Sequence, residues 1–328
     1  MSSDPLLDLL DALADGERHS GEALAERFGI SRAALAKRVD KLRDWGVALD
    51  AQPGAGYRLA HPLQRLDAAR IAAALPAGLR ALGLHVAVEA RVDSTNTRLL
   101  EAEPAQDPQA LFAESQTAGR GRRGRDWVSP FGANLYLSLA WSFPAWPARL
   151  TTLPLAVAVA LARALSALGL PEAGIKWPND LHADGRKLAG VLIEPRGEAG
   201  GPCRVVVGVG LNLQMEAVQA QAVGQPWTSL AAALAARGRA LPAREAVAVT
   251  VLAELATAVQ HYQDFGFTPF AGEWSQRDLL RDRPVRVEAQ GGYEGVARGI
   301  DADGGLIVEV GAERRVVHAG EVSVRVAA

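Results

Sequence analysis

Apolar and polar positions alternate with three different rhythms along the chain. At the start the spacing is helical. Leu6, Leu7, Leu9, Leu10 and Leu13 make one helical face, and Asp15-Gly16 ends it. Ser20 is placed to cap a short second helix, Gly29 to make a turn, and Ser31 to cap a third helix from Arg32 to Trp45 with Ala34, Leu35, Val39, Leu42 and Trp45 inward. From Val47 to Leu59 the pattern alternates around Gln52-Pro53-Gly54-Ala55-Gly56, which predicts a hairpin. Helices followed by a hairpin make a winged helix-turn-helix, whose second helix enters the major groove of DNA. Ser31, Arg32, Lys37, Arg38 and Lys41, together with Arg43, are the candidate DNA contacts, set against Asp40 and Asp44. A small helical domain that docks on the rest of the chain and never meets DNA remains the alternative.

Pro62 and Gln64 mark a link, and a helical stretch from Asp67 to Leu75 opens the middle region. There the rhythm shortens. His85 to Val92 reads as a strand that runs into Asp93-Ser94-Thr95-Asn96, which caps a helix to about Glu103. Leu111 to Glu114 and Asn134 to Trp141 read as strands, and Leu153 to Leu168 as a buried helix. Ile175 to Leu181 and Arg186 to Glu194 flank Asp184-Gly185, a hairpin signal. Lys187 therefore starts an apolar strand, either as edge protection or as a cation pointed into a pocket. Val205 to Asn212 is a buried strand whose glycines allow something to approach closely.

A helix from Arg244 to Phe265 and Trp274 close this region. From Pro284 short alternating strands take over at Val285 and Val287, Val296, Leu306 to Val310, Val316-Val317 and Val322 to Val326. Gly291-Gly292, Asp303-Gly304-Gly305 and Gly320 are the turn signals, and a small SH3-like barrel is the natural reading. The chain is thus expected to divide into 1–66, 67–272 and 273–328.

One stretch fits no rhythm. Gly119 to Arg125 alternates four arginines with three glycines, has no apolar periodicity, and repels itself unless an anion sits among the charges. A loop that orders around a phosphate or carboxylate suits it, because glycine admits close approach and arginine offers a fork of donors. A solvated basic surface loop is the plainer reading. Although Gly119, Gly121 and Gly124 spell G-x-G-x-x-G, polar residues precede them and Pro130 and Gly132 follow, so neither flank fits a dinucleotide-binding strand-to-helix turn.

Composition narrows the classes. With 328 residues the chain exceeds one core, and 35 Lys and Arg against 37 Asp and Glu imply no general affinity for polyanions. Cys203 is the lone cysteine, which excludes an intrachain disulfide framework and a cysteine-based zinc site. The first residues lack the character of a signal peptide, and Leu153 to Leu165, broken by Pro154 and Arg163, reads as too short to span a bilayer. A cytoplasmic protein without a membrane partner is expected.

Five ordered motifs then carry a resemblance. Asp-Ser-Thr-Asn, Gly-Arg-Gly-Arg-Arg-Gly-Arg, Lys-Trp-Pro-Asn-Asp-Leu, Lys-Leu-Ala-Gly-Val-Leu-Ile-Glu and Gly-Val-Gly-Leu-Asn resemble the biotin protein ligase family. The helix-turn-helix, with Ser-Arg-Ala-Ala and Leu-Arg-Asp-Trp-Gly-Val, resembles the bifunctional bacterial form that also represses the biotin operon. The least familiar parts are the acidic first helix and Trp141 to Arg149, the latter in a region relevant to dimerisation.

The resemblance implies an α+β chain: a winged helix-turn-helix, a mixed-sheet ligase domain of the class II synthetase type and an SH3-like β-barrel. It implies that biotin is activated with ATP and Mg2+ to biotinyl-5'-AMP and passed to one lysine of a biotin carboxyl carrier protein, and that a ligand-promoted homodimer binds operator DNA. Ser94, Thr95, Asn96 and Gln116 match the polar residues around the biotin ureido ring, with Gly119, Gly190 and Gly208 close to the ligand. Arg120, Arg122 and Lys187 match contacts to the biotin carboxylate and phosphate, with Asp180 placed to orient or deprotonate the acceptor lysine. Arg123, Arg125, Trp127, Lys176, Asn179 and Asn212 match the nucleotide side, with Trp127 as the adenine-stacking candidate. No metal ligand is expected. Three alternatives remain: a biotin-sensing repressor without catalysis, a ligase for another acid such as lipoate, and a DNA-binding protein without a small-molecule ligand.

Overall fold

The computed structural model describes residues 4–197, 201–217, 219–288, 292–319 and 323–326. Met1 to Ser3, Gly291, Gly320 and Val322, all used above, lie outside the described residues. The chain opens with α1 (Pro5–Ala12), α2 (Gly21–Arg27) and α3 (Arg32–Asp44), followed by β1 (Leu49–Gln52) paired antiparallel with β2 (Gly56–Leu59). Asp4, Ser20 and Ser31 cap the three helices by accepting the backbone N–H groups of Leu6, Glu22 and Ala34. Leu9, Leu10, Leu13, Leu24, Leu35, Val39 and Leu42 make a core of their own, into which Phe131 from the middle region inserts. Trp45 stacks on Phe131 at 5.6 Å, so the end of α3 rests directly on the next unit.

Two short helices follow, α4 (Ala68–Ala74) and α5 (Ala77–Ala81); the second is not foreseen by the apolar pattern. The middle region then runs β3 (His85–Val92), α6 (Thr95–Glu101), β4 (Gln109–Gln116), β5 (Asn134–Phe143), α7 (Leu153–Ala167), β6 (Gly174–Lys176), β7 (Asp180–Ala183), β8 (Arg186–Gly197), β9 (Cys203–Asn212), α8 (Leu230–Ala235), α9 (Arg244–Phe265) and α10 (Thr268–Arg277). Its seven-stranded sheet is ordered β3-β4-β5-β9-β8-β7-β6, with β3 and β4 parallel and the other pairs antiparallel. This is the expected mixed sheet. Leu135, Leu137, Leu139, Val205 and Val207 point to the core shared with α7 and α9. Residues one step out of phase, Leu111, Ala140 and Val206, meet Leu99 of α6 on the opposite face. Ser138, Gly208 and Gly210 share that second face, and there the cavity opens.

The apolar helix is longer than the sequence run indicated: Leu150–Thr152 forms a turn that leads straight into α7, giving 18 residues of mean hydropathy 1.7. By length and composition it could cross a membrane, but 67% of it is buried inside the chain, where α9 and the sheet surround it. It is the central core helix.

The last strands, β10 (Pro284–Glu288), β11 (Tyr293–Ile300), β12 (Leu306–Val310), β13 (Glu313–Val317) and β14 (Ser323–Val326), form an antiparallel sheet ordered β13-β12-β11-β10-β14, as an SH3-like unit requires. Val285, Val287, Ala297, Leu306 and Val308 join the same continuous core as α7 and α9. The turn between β11 and β12 bolts the unit on: Trp177 Nε1 donates to the Gly304 carbonyl at 2.9 Å, and Thr151 Oγ1 to that of Asp303 at 2.8 Å. Glu114 and Arg244, both buried, form an ion pair between β4 and α9. Glu114 also accepts the Leu66 N–H at 2.7 Å, and Arg244 donates to the Asn134 carbonyl at 2.9 Å, so one pair ties the interdomain link to β4, β5 and α9.

Candidate active site

A cavity of about 990 Å³ lies on the open face of the sheet, lined by the start of α6, Gln116, residues of β7, β8 and β9, the arginine loop, Met215, Ala222 to Trp227, and Leu279, Leu280 and Arg283. One end is polar. Thr95 donates its N–H to Gln116 Oε1 at 2.9 Å, and Gln116 Nε2 donates to Ser129 Oγ at 3.1 Å. Ser138 Oγ lies 2.7 Å from Thr95 Oγ1 and 2.5 Å from Asn96 Oδ1, and Asn96 Nδ2 donates to Glu194 Oε2 at 2.8 Å. Ser94 takes the N-cap position of α6, but its side chain makes no capping bond. Thr95 and Asn96 therefore do more than cap a helix: with Gln116 they belong to a chain of donors and acceptors at the cavity wall. Ser138 and Glu194 complete it. Their signals in the sequence were a serine among the leucines of an apolar strand and the acid that ends the Lys187 strand.

The arginine loop has a definite shape. Trp127 N donates to the Gly119 carbonyl at 2.8 Å and Gly121 N to that of Arg125 at 2.6 Å, which folds 119–127 into a narrow hairpin. Arg122 to Gly124 form its tip, with Arg123 at φ 60° and Gly124 at φ 69°. Gly119 is required by the loop itself, since a Cβ there would lie 2.6 Å from the Trp127 carbonyl. Arg120 pairs with Glu194 at 2.8 Å. Arg122 turns inward, donating to Asn179 Oδ1 at 3.0 Å and to the Ala319 carbonyl between β13 and β14. Burial lowers its guanidinium pKa. Arg123 and Arg125 are exposed along the rim.

Lys187 settles its own ambiguity. β8 lies between β7 and β9, so it is no edge, and Lys187 Nζ sits 2.9 Å from Asp180 Oδ1 inside the cavity. The Trp127 indole lies 5.5 Å from the same ammonium. A Cβ at Gly210 would collide with that ring, and one at Gly208 with Asn96, while at Gly190 it would lie 3.2 Å from Trp127. Glycine is needed at 208 and 210 because side chains already occupy the space above them. Trp127 thus stands at the junction between the polar end and the charged centre. A second indole, Trp227, lines the cavity beside Val223, on a segment bonded to Lys187: Lys187 N donates to the Pro226 carbonyl at 3.1 Å and Thr228 N to that of Lys187 at 2.9 Å.

Asn179 and Asn212 hold the frame. Asn179 donates to the Val191 carbonyl while accepting from Arg122, and Asn212 donates to the Thr228 carbonyl at 3.1 Å. Lys176 lines the cavity opposite Asp180 across the β6–β7 pair. His182, missed in the sequence although it falls two residues beyond Asp180 on the same strand face, also lines it. Burial, reinforced by Lys176 and Lys187 and opposed by Asp180, pushes its imidazole down to about 4, so it is neutral at pH 7.

The geometry can be set beside known proteins. Residues 88–212 match the biotin/lipoate A/B protein ligase family, residues 6–58 a helix-turn-helix domain and residues 282–325 the biotin protein ligase C-terminal domain. The chain is 42% identical over 322 residues to the bifunctional ligase/repressor BirA of Salmonella typhimurium, with 97% of each chain covered. It belongs to the biotin protein ligase family. The Escherichia coli bifunctional ligase/repressor BirA is 41% identical, again over 97% of each chain. Among solved structures, the biotin protein ligase from Aquifex aeolicus in complex with biotin and ATP superposes with a TM-score of 0.62 at 26% identity, covering 74% of this chain and 99% of that one. The helix-turn-helix match falls on α1 to β2. There Arg32, Lys37 and Lys41 are exposed on α3, whereas Ser31 caps the helix and Arg38 is half-buried, its guanidinium 5.9 Å from the Phe28 ring.

Proposed function

We propose that this ligase activates biotin with MgATP to biotinyl-5'-AMP, transfers the biotinyl group to a lysine of a biotin carboxyl carrier protein, and represses a biotin operon in the cytoplasm with the adenylate as corepressor. The observation that carries the reading is the Lys187–Asp180 pair, 2.9 Å apart between a polar chain suited to a urea and a loop of arginines. A buried urea needs both donors and acceptors, and Thr95, Asn96 and Gln116 with Ser94 supply them. In the first step a biotin carboxylate oxygen attacks the α-phosphorus and pyrophosphate leaves. Lys187 and Arg122 offset the repulsion between the anions, and Mg2+ brought in with ATP would neutralise part of the phosphate charge. In the second step the acceptor amine attacks the acyl carbon and AMP departs with the bonding pair, while Asp180 takes the proton released from nitrogen.

Trp127 walls the junction of the two ligands, and Trp227 is the aromatic face offered to the adenine. Both the sensor-only and the lipoate alternatives lose ground to the placement of Lys187 and to relatives that are named as biotin ligases. For the units, we place the first junction at 66. The last belongs at 278–283, because the expected boundary at 272 would cut α10. Operator binding by α3, and a homodimer promoted by the adenylate, complete the proposal. ATP-dependent transfer of labelled biotin to a purified acceptor domain tests the enzyme; no transfer despite biotin binding would return the sensor-only reading.

A further inference from the structure

We propose that Glu194 is a positioning residue that ties the arginine loop to the hydrogen-bonded floor beneath the urea end of biotin, and so sets biotin affinity before any nucleotide chemistry. The inference rests on the ligase reading above. One atom, Glu194 Oε2, accepts from Asn96 Nδ2 at 2.8 Å and from Arg120 Nη2 at 2.8 Å. Asn96 is a buried floor residue pressed against Gly208, and Arg120 is the first arginine of the loop hairpin. A single carboxylate oxygen therefore bridges the fixed wall and the loop that covers it.

The sign of the charge matters beyond the ion pair. A carboxylate only accepts hydrogen bonds, so it dictates which way the Asn96 amide faces, with Oδ1 toward Ser138 Oγ at 2.5 Å. That contact claims the single Ser138 proton. The Thr95 proton is then held between Ser138 Oγ at 2.7 Å and Gln116 Oε1 at 3.1 Å, and with either partner the Thr95 oxygen keeps an acceptor lone pair for the cavity. Gln116 Oε1 already accepts the Thr95 N–H at 2.9 Å and so holds Thr95 in place. A cyclic urea presents two N–H donors, and an acceptor wall suits them. As an isolated half-exposed ion pair, Arg120–Glu194 would contribute little. Its worth lies in the orientation passed to Asn96, Ser138 and Thr95.

The test compares the full-length wild type with E194Q and with the swap E194R/R120E, by calorimetric titration with biotin alone and by steady-state adenylate formation. E194Q is expected to weaken biotin binding roughly tenfold, the loss of one charge-assisted hydrogen bond, with the KM for ATP changed by less than about twofold. The swap restores an ion pair but turns a donor toward Asn96, so it should bind biotin no better than E194Q. Wild-type biotin affinity in E194Q, equal losses for biotin and ATP, or recovery in the swap would each overturn the assignment. An unchanged thermal midpoint in E194Q separates positioning from folding. Absence of adenylate formation by the wild type would instead refute the ligase reading.

Discussion

Lys187 is the residue on which the chemistry converges, because it is the ammonium that reaches Asp180 and the Trp127 face at once. Lys187→Ala should lower adenylate formation by roughly a hundredfold or more, the scale seen when one preorganised charge donor is removed. Pyrophosphate exchange measures it, and an unchanged circular dichroism spectrum excludes unfolding; near-normal exchange would remove Lys187 from the mechanism. Trp127→Ala should raise the KM for both biotin and ATP, whereas Trp227→Ala should raise that for ATP alone. His182 makes a pH prediction. Between its unfolded value of 6.5 and its folded value of about 4, the unfolded chain binds a proton that the folded chain refuses. Stability therefore falls as pH drops through that window and levels off below it. His182→Asn should flatten this acid limb of the thermal midpoint, and an unchanged limb would contradict the burial. At this scale the motif residues were legible because each has unusual chemistry for its strand or loop. Their partners were not. Glu194 and Ser138 come from β8 and β5, and only the pairing of both strands with β9 brings them to Asn96.

Elements explain why the motifs stay in place. The buried Glu114–Arg244 pair fixes β4, β5, α9 and the interdomain link together, and Arg244→Met should destabilise the protein by about 3 kcal/mol because it leaves Glu114 charged and buried. Denaturant titration measures this, and a change under about 1 kcal/mol would show the pair to be dispensable. On α3, Lys37→Ala and Lys41→Ala should each reduce the salt slope of operator binding by about one while ligation is kept, as expected of phosphate contacts. Arg38→Ala is a weaker probe, since its guanidinium lies against Phe28. Strand and helix periods located the long elements, with ends shifted by a few residues, but not the helices α5, α8 and α10 or the break between β6 and β7. α6 stops at Glu101, short of the expected Glu103, because Pro104 begins a separate turn. Sheet order was invisible in the sequence: nothing local says that β9 inserts between β5 and β8.

Over the whole molecule, one continuous core runs from Leu66 to Val317, while α1 to β2 keep their own. The C-terminal unit and the junction before it therefore complete the catalytic unit: Leu279, Leu280 and Arg283 of the junction line the cavity, and Ala319 receives Arg122. The DNA-binding unit is joined through smaller contacts, including Gln219 Nε2 to the Gly46 carbonyl at 2.7 Å and His61 to Glu216 at 2.9 Å. Both come from the segment whose far end, Val223 to Trp227, lines the ligand cavity. Biotin with ATP should raise the sedimentation coefficient at micromolar protein, and an unchanged value would end the proposed link between adenylate and dimer. The most direct measurement is transfer of labelled biotin to an acceptor domain with and without MgATP. Covalent label that requires MgATP and disappears when the target lysine is replaced is the predicted result; biotin binding without transfer, or label independent of ATP, would contradict the account.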